Sequence, residues 1–187
     1  MTPSSSPTRR WLTWTAGFLA FPPAGLAAGA VVGPVDGAAA ALVGGAVAGA
    51  VIGAGQWLAA RGSVGPAGPW ILASTGGMAI GLTAGAATAG YRTGLGDLAL
   101  MGLVTGVPLG LAQAAALRRF RVEPAWLWAA AMPALWALGW SVTTAVGVDV
   151  ERRYAVFGST GAITVMALAG LIVVRLRPRA RRSGRGG

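Results

Sequence analysis

Arginine recurs at a fixed interval. Arg61, Arg118 and Arg175 stand 57 residues apart, twice over. Each closes an apolar segment of about two dozen residues, about the length of one membrane span. Ahead of the first two the match is closer: Gly45, Gly49, Gly53 and Gln56 precede Arg61, and Gly102, Gly106, Gly110 and Gln113 precede Arg118 at the same spacings. Ahead of Arg175 the register holds but the residues change, to Ser159, Ile163, Ala167 and Gly170. Alternate segments begin near Trp14, Trp70 and Trp128, with Gly25 and Gly29, Gly77, Gly81 and Gly85, and Gly139 following at related offsets. The unit is a helical hairpin present three times, about 11–61, 68–118 and 125–175. Each copy holds two spans, so all three share one orientation. This is a parallel repeat, unlike the inverted repeats of many transporters.

The expected fold is therefore all-α: a six-helix transmembrane bundle built from three parallel helical-hairpin repeats. Spans are expected at about 11–32, 37–60, 68–90, 95–117, 125–147 and 154–176, as helices, because hydrocarbon offers no water to backbone groups. Residues 1–10 are expected to be a disordered cytoplasmic N-terminus and 177–187 a basic cytoplasmic tail. Arg9 and Arg10 read as the positive flank of an uncleaved first span.

Composition agrees. Of 187 residues 55% are hydrophobic and 11% charged, with a mean hydropathy of +0.64. Cysteine, histidine and lysine are missing, which removes thiolate metal sites, thiol nucleophiles and histidine bases. Ser74, Thr75, Ser141, Thr143 and Thr144 have no histidine to activate them. No catalytic, cofactor-binding or metal-ligating residue is assigned, and no enzyme is expected.

The net charge of +10 does not point to nucleic acid, because the charges flank apolar spans. Sorted by alternate loops, one side carries Arg9, Arg10, Arg61, Arg118, Arg119, Arg121, the arginines of the tail and the single acid Glu123. The other carries Asp36, Arg92, Asp97, Asp149, Glu151, Arg152 and Arg153. The positive-inside rule then puts both termini in the cytoplasm, and the expected location is a bacterial cytoplasmic membrane. The lipid bilayer is the first partner expected, with anionic lipid next, then a protein partner or a second copy of the chain.

Residues four apart share a helix face, so Gly45, Gly49 and Gly53 make one smooth groove and Gly102, Gly106 and Gly110 another. Such faces let helices approach closely in lipid. They are expected to pack around a central axis or between adjacent hairpins. Gln56 and Gln113 continue these faces inward, about 7.5 Å above the arginine level at 1.5 Å rise per residue. They either line a polar site or act as hydrogen-bonding glue between helices. Arg61, Arg118 and Arg175 form either a cytoplasmic ring for an anion or lipid phosphate or a set of snorkelling anchors. Trp14, Trp70, Trp128, Trp11, Trp57 and Trp126 are assigned to the interfacial aromatic belt, with a Trp57–Arg61 cation–π pair open to the i, i+4 spacing. Trp136 and Trp140 lie deeper, as candidates for packing on glycine or lining a cavity. Asp97, in the first turn of an apolar stretch, reads as a helix-terminal acid. Pro22, Pro23, Pro108 and Pro133 are expected to bend or open their helices.

The run Gly49-x3-Gly53-x2-Gln56-Trp57-Leu58-x2-Arg61, followed by Trp70-Ile71-Leu72-Ala73 and glycines, resembles uncharacterised bacterial membrane proteins. Their hairpin repeats read G-x3-G-x2-Q-W-L-x-L-R and then W-I-x-A-x3-G-x3-G. The resemblance covers most of the chain, departs at Ala60 where leucine is usual, and implies neither activity nor substrate. The functional expectation is a small-solute transporter or ligand-binding membrane subunit. The alternative is a non-transporting scaffold or accessory subunit of a larger complex. A solvated cavity reached by Gln56 and Gln113 favours the first, and a closed core favours the second.

Overall fold

The computed structural model describes residues 6–60, 62–152 and 154–178. Helices dominate them: α1 (Pro7–Thr15), a 3-10 turn (Ala16–Ala20), α2 (Phe21–Val32), α3 (Ala38–Ala60), α4 (Ala67–Thr88), α5 (Leu95–Arg119), α6 (Ala125–Ala145) and α7 (Ser159–Val173). The unit Pro7–Val32 and helices α3 to α6 make five segments long and apolar enough to cross a membrane.

The first span breaks where two prolines require it. Pro22 and Pro23 have no N–H to return to the carbonyls four residues back. The chain winds as a 3-10 turn just ahead of them and resumes as α2 with proline in its first turn. Pro108 and Pro133 behave differently. Helices α5 and α6 run through them unbroken, so the opening expected there is absent. Each sits where a neighbouring glycine gives room: a β-carbon at Gly77 would meet the Pro108 carbonyl oxygen at 3.2 Å, and one at Gly106 would meet Pro133 Cα at 2.5 Å.

Two other expectations are corrected. The N-terminal region is ordered from Pro7, because the Ser6 hydroxyl accepts from the Arg9 N–H (3.2 Å) and caps α1; residues 1–5 lie outside the described residues. The sixth span is shorter than 154–176. Helix α7 begins only at Ser159, after a non-helical strap whose Ala155, Val156 and Phe157 are buried. Gly139 on α6 admits that strap: a β-carbon there would stand 2.7 Å from the Phe157 ring.

The helices pack in chain order, α3 on α4, α4 on α5, α5 on α6 and α6 on α7, with the first span between α3 and α7. The bundle is thus closed on itself. Large apolar residues such as Leu19, Leu26, Leu58, Leu72 and Ile80 point outward, as a surface that contacts lipid requires.

The charged loops sort to the two ends. At one end Arg10 reaches Val173, Val174, Leu176 and Ser63, and Val122–Glu123 pairs antiparallel with Arg177–Pro178. At the other, Thr93 donates to Glu151 (2.6 Å) and Arg92 pairs with Asp97 (2.7 Å). The first is the basic end and the second the acidic end.

Candidate functional site

The two glycine stripes make helix–helix contacts between sequence-adjacent spans rather than around a central axis. Gly45, Gly49 and Gly53 of α3 lie on α4: a β-carbon at Gly45 would stand 2.6 Å from the Met78 carbonyl oxygen, one at Gly49 would collide with the Ser74 carbonyl, and one at Gly53 would stand 2.8 Å from Ser74 Cβ. Gly102, Gly106 and Gly110 of α5 lie on α6 in the same way, against the Trp136 carbonyl (2.5 Å), the Met132 carbonyl (2.6 Å) and Met132 Cβ (2.8 Å). A third stripe, Gly77, Gly81 and Gly85, seats α4 on α5 at Leu109, Thr105 and Met101. Trp140 also packs on Gly102, which meets the packing role expected of it.

This close approach carries a buried polar cluster near the basic end. Gln113, 1% exposed, is its hub. Its amide nitrogen donates to Ser74 Oγ (2.8 Å) and to Gln56 Oε1 (3.2 Å), and its carbonyl accepts from Trp128 Nε1 (2.8 Å). Ser74 Oγ donates onward to the Trp70 carbonyl (2.9 Å), and Gln56 Nε2 lies 3.8 Å from Met166 Sδ. The two glutamines therefore face the interior, and the cluster joins five helices: α3, α4, α5, α6 and α7. An unpaired buried amide costs about 1–3 kcal/mol, so such a cluster fixes the register of the helices that feed it.

Trp14, Trp70 and Trp128 are wholly buried, which overturns their assignment to an interfacial belt. They form an aromatic core beside the glutamines. Trp128 meets Trp14 edge-on (centroids 5.5 Å) and Trp70 likewise (5.7 Å). The reason is depth. Each sits about one turn or more inside its span, and Gly170 stands against Trp14. Of the three, Trp128 has an acceptor, and among the described residues the indole N–H groups of Trp14 and Trp70 meet none. For Trp14 the sequence register suggests why. Gly170 stands where the third glutamine would be, and Trp11 and Trp14 crowd it, with Trp11 Cδ1 2.8 Å from the place of a β-carbon. Trp11 binds the Ala167 carbonyl (2.8 Å) and Trp57 the Gly65 carbonyl (3.1 Å). Trp126, 68% exposed, is the outward-facing tryptophan of the set.

Arg10, a positive flank by its place in the sequence, is also a tether. Its guanidinium donates to the carbonyls of Val173 (2.8 Å), Leu176 (3.2 Å) and Val174 (3.4 Å) at the end of α7, and to Ser63 Oγ (3.2 Å). These are orphan carbonyls of a helix terminus, where a cation is favoured. Of the proposed arginine ring, Arg118 and Arg175 are exposed at the basic end, and Arg61 lies outside the described residues, with its cation–π pair. Asp97 is a first-turn acid of α5 paired with Arg92. The hydrogen bond and the charge of Asp97 hold the Arg92 guanidinium above its usual range.

Among the hollows of the described residues, two lie beside α6. An apolar pocket of about 260 Å³ lies toward the acidic end, lined by Phe21, Gly25, Trp140, Tyr154 and Phe157 among others. A groove of about 630 Å³ runs between α5 and α6 at the basic end. Neither is lined by Gln56 or Gln113. Among the described residues no group of three or more acids stands together as a metal site. In comparisons with known proteins, no family model, no curated protein and no solved structure matches the chain, so the site is argued from its own geometry.

Proposed function

We propose that this integral membrane protein is a non-transporting scaffold or accessory subunit, built as three parallel hairpin repeats in a bacterial cytoplasmic membrane with both termini cytoplasmic. One observation carries the reading: the Gln56 and Gln113 amides bond to each other, to Ser74 and to Trp128 inside the bundle. A solute path would need those polar atoms to face its lumen. The arginine bias of one end supports the orientation, and the recurrence of glycine stripes and tryptophans supports the repeat.

The test is reconstitution of the full chain into liposomes. Fluxes of ions and small polar solutes are expected to match protein-free vesicles, and crosslinking in native membranes is expected to capture a stoichiometric protein partner or a second copy. Solute flux above the protein-free level that Gln56→Ala abolishes would contradict the proposal.

A ligand-binding subunit is the second reading, favoured by the aromatic pocket of Phe21, Trp140, Tyr154 and Phe157. It predicts an apolar small molecule that stays with the purified protein in native mass spectrometry and is displaced by Gly25→Leu, which fills the pocket. A wild-type protein that carries no such mass would remove this reading.

A further inference from the structure

The groove between α5 and α6 joins an apolar floor to a mouth that carries both signs of charge. Leu111, Ala114, Ala115 and Arg118 line one wall at i, i+3, i+4 and i+7 spacing, one face of α5. Trp126, Ala129 and Ala130 line the other as one face of α6, with Glu123 at the mouth. The floor is small and apolar, and the mouth holds one guanidinium, one carboxylate and one exposed indole. From Arg118 to Leu111 the groove reaches about 10 Å along α5 at helical rise, from the headgroup level into the hydrocarbon. Its volume of about 630 Å³ falls in the range of sites that hold a small molecule.

We propose that this groove binds one phospholipid whose headgroup carries a phosphate and a primary ammonium, phosphatidylethanolamine by chemistry. Arg118 takes the phosphate, since a guanidinium fork matches its oxygens. Glu123 takes the ammonium. It is the single acid of the basic end, and it stands at this groove. One of its oxygens accepts from the Ala125 N–H (3.0 Å), which orients the carboxylate and leaves acceptor sites free. Arg177 lies opposite Glu123 in the strand pairing, yet among the described residues the ion pairs are Arg92–Asp97 and Arg152–Asp149. Trp126 stands at the interface level beside the headgroup, and the alanine floor takes the upper acyl chain. A headgroup of net negative charge would face the Glu123 carboxylate unpaired.

The test is native mass spectrometry of the full chain offered an equal mixture of phosphatidylethanolamine, phosphatidylcholine and phosphatidylglycerol with identical acyl chains. Wild type is expected to retain one phosphatidylethanolamine in preference to the others. Arg118→Ala is expected to weaken retention about tenfold, the scale of one charged hydrogen bond. Glu123→Gln is expected to keep binding but lose the preference for the amine. Ala115→Phe, on an exposed face, obstructs the groove without changing charge and is expected to reduce retention. A wild-type preference for phosphatidylglycerol, equal retention of all three lipids, or wild-type retention by both Arg118→Ala and Ala115→Phe would overturn the proposal.

Discussion

Trp128 donates its indole hydrogen to Gln113 Oε1 at 2.8 Å, and the other end of the same amide donates to Gln56 and Ser74. One side chain on α5 thereby joins α3, α4 and α6, and the stability of the bundle should depend on it more than on any other polar residue of the core. Gln113→Ala is expected to destabilise the protein by about 2–4 kcal/mol, since it leaves the Trp128 N–H without an acceptor and opens a cavity. Gln56→Ala should cost about half as much, because its outer contact is only the Met166 sulfur at 3.8 Å. Reversible unfolding in detergent, followed by loss of the tryptophan signal, checks the order of the two.

The three core tryptophans should not be equivalent. Trp128→Phe removes a bonded N–H and orphans the Gln113 carbonyl, with an expected cost of about 1–3 kcal/mol. Trp14→Phe removes an N–H that has no partner among the described residues, which offsets part of the lost packing, and should cost clearly less. Thermal midpoints of the two variants in the same detergent check this. Equal losses would mean that packing alone decides the core.

Glycine substitutions should divide by what faces them. Gly49→Val and Gly106→Val drive side chains into the backbones of Ser74 and of Met132–Pro133 and are expected to cost about 3 kcal/mol or more, or to abolish folding. Gly76→Ala meets nothing within 4 Å and should be neutral or slightly stabilising, as alanine favours helix. Expression and monodispersity after extraction give the comparison.

Arg10 closes the ring at the basic end. Arg10→Ala is expected to destabilise by about 1–3 kcal/mol and to raise hydrogen exchange at the end of α7, whose carbonyls it caps. Arg10→Lys should rescue only in part, because an ammonium does not reproduce the spread of a guanidinium over four acceptors. Arg9→Ala, at an exposed position, should change little. Exchange measured by mass spectrometry on the peptide covering Ile172–Leu176 checks all three.

Periodicity made the helices, the two sides and the inward direction of Gln56 and Gln113 legible, because each is a property of spacing along one helix. What joins one helix to another was less legible. That Gln113 would meet Trp128 and Ser74 depends on the relative rotation of α4, α5 and α6, which no single segment encodes. Tryptophan near a helix end reads equally as belt or core, and the difference lies in what the neighbouring helices place against it, as Trp14 and Trp70 against Trp128. Ser74, four residues after Trp70, lies on the face carrying the tryptophan, a placement visible in the spacing. The short α7 was hidden by Tyr154–Phe157, apolar enough to extend a span but drawn instead into the packing at Gly139.

The central claim is that the core around Gln113 is closed to water from both sides. The chain has no cysteine, so single replacements report without background. Ser74→Cys, close in size to serine, and Gln56→Cys are placed in sealed vesicles with Arg118→Cys as the exposed reference, and a small water-soluble thiol reagent is applied from each side. Arg118→Cys should react from one side within the assay, while positions 56 and 74 stay unmodified from both. Reaction at 56 or 74 at a rate comparable to 118 would show a solvated path through the bundle and contradict the account.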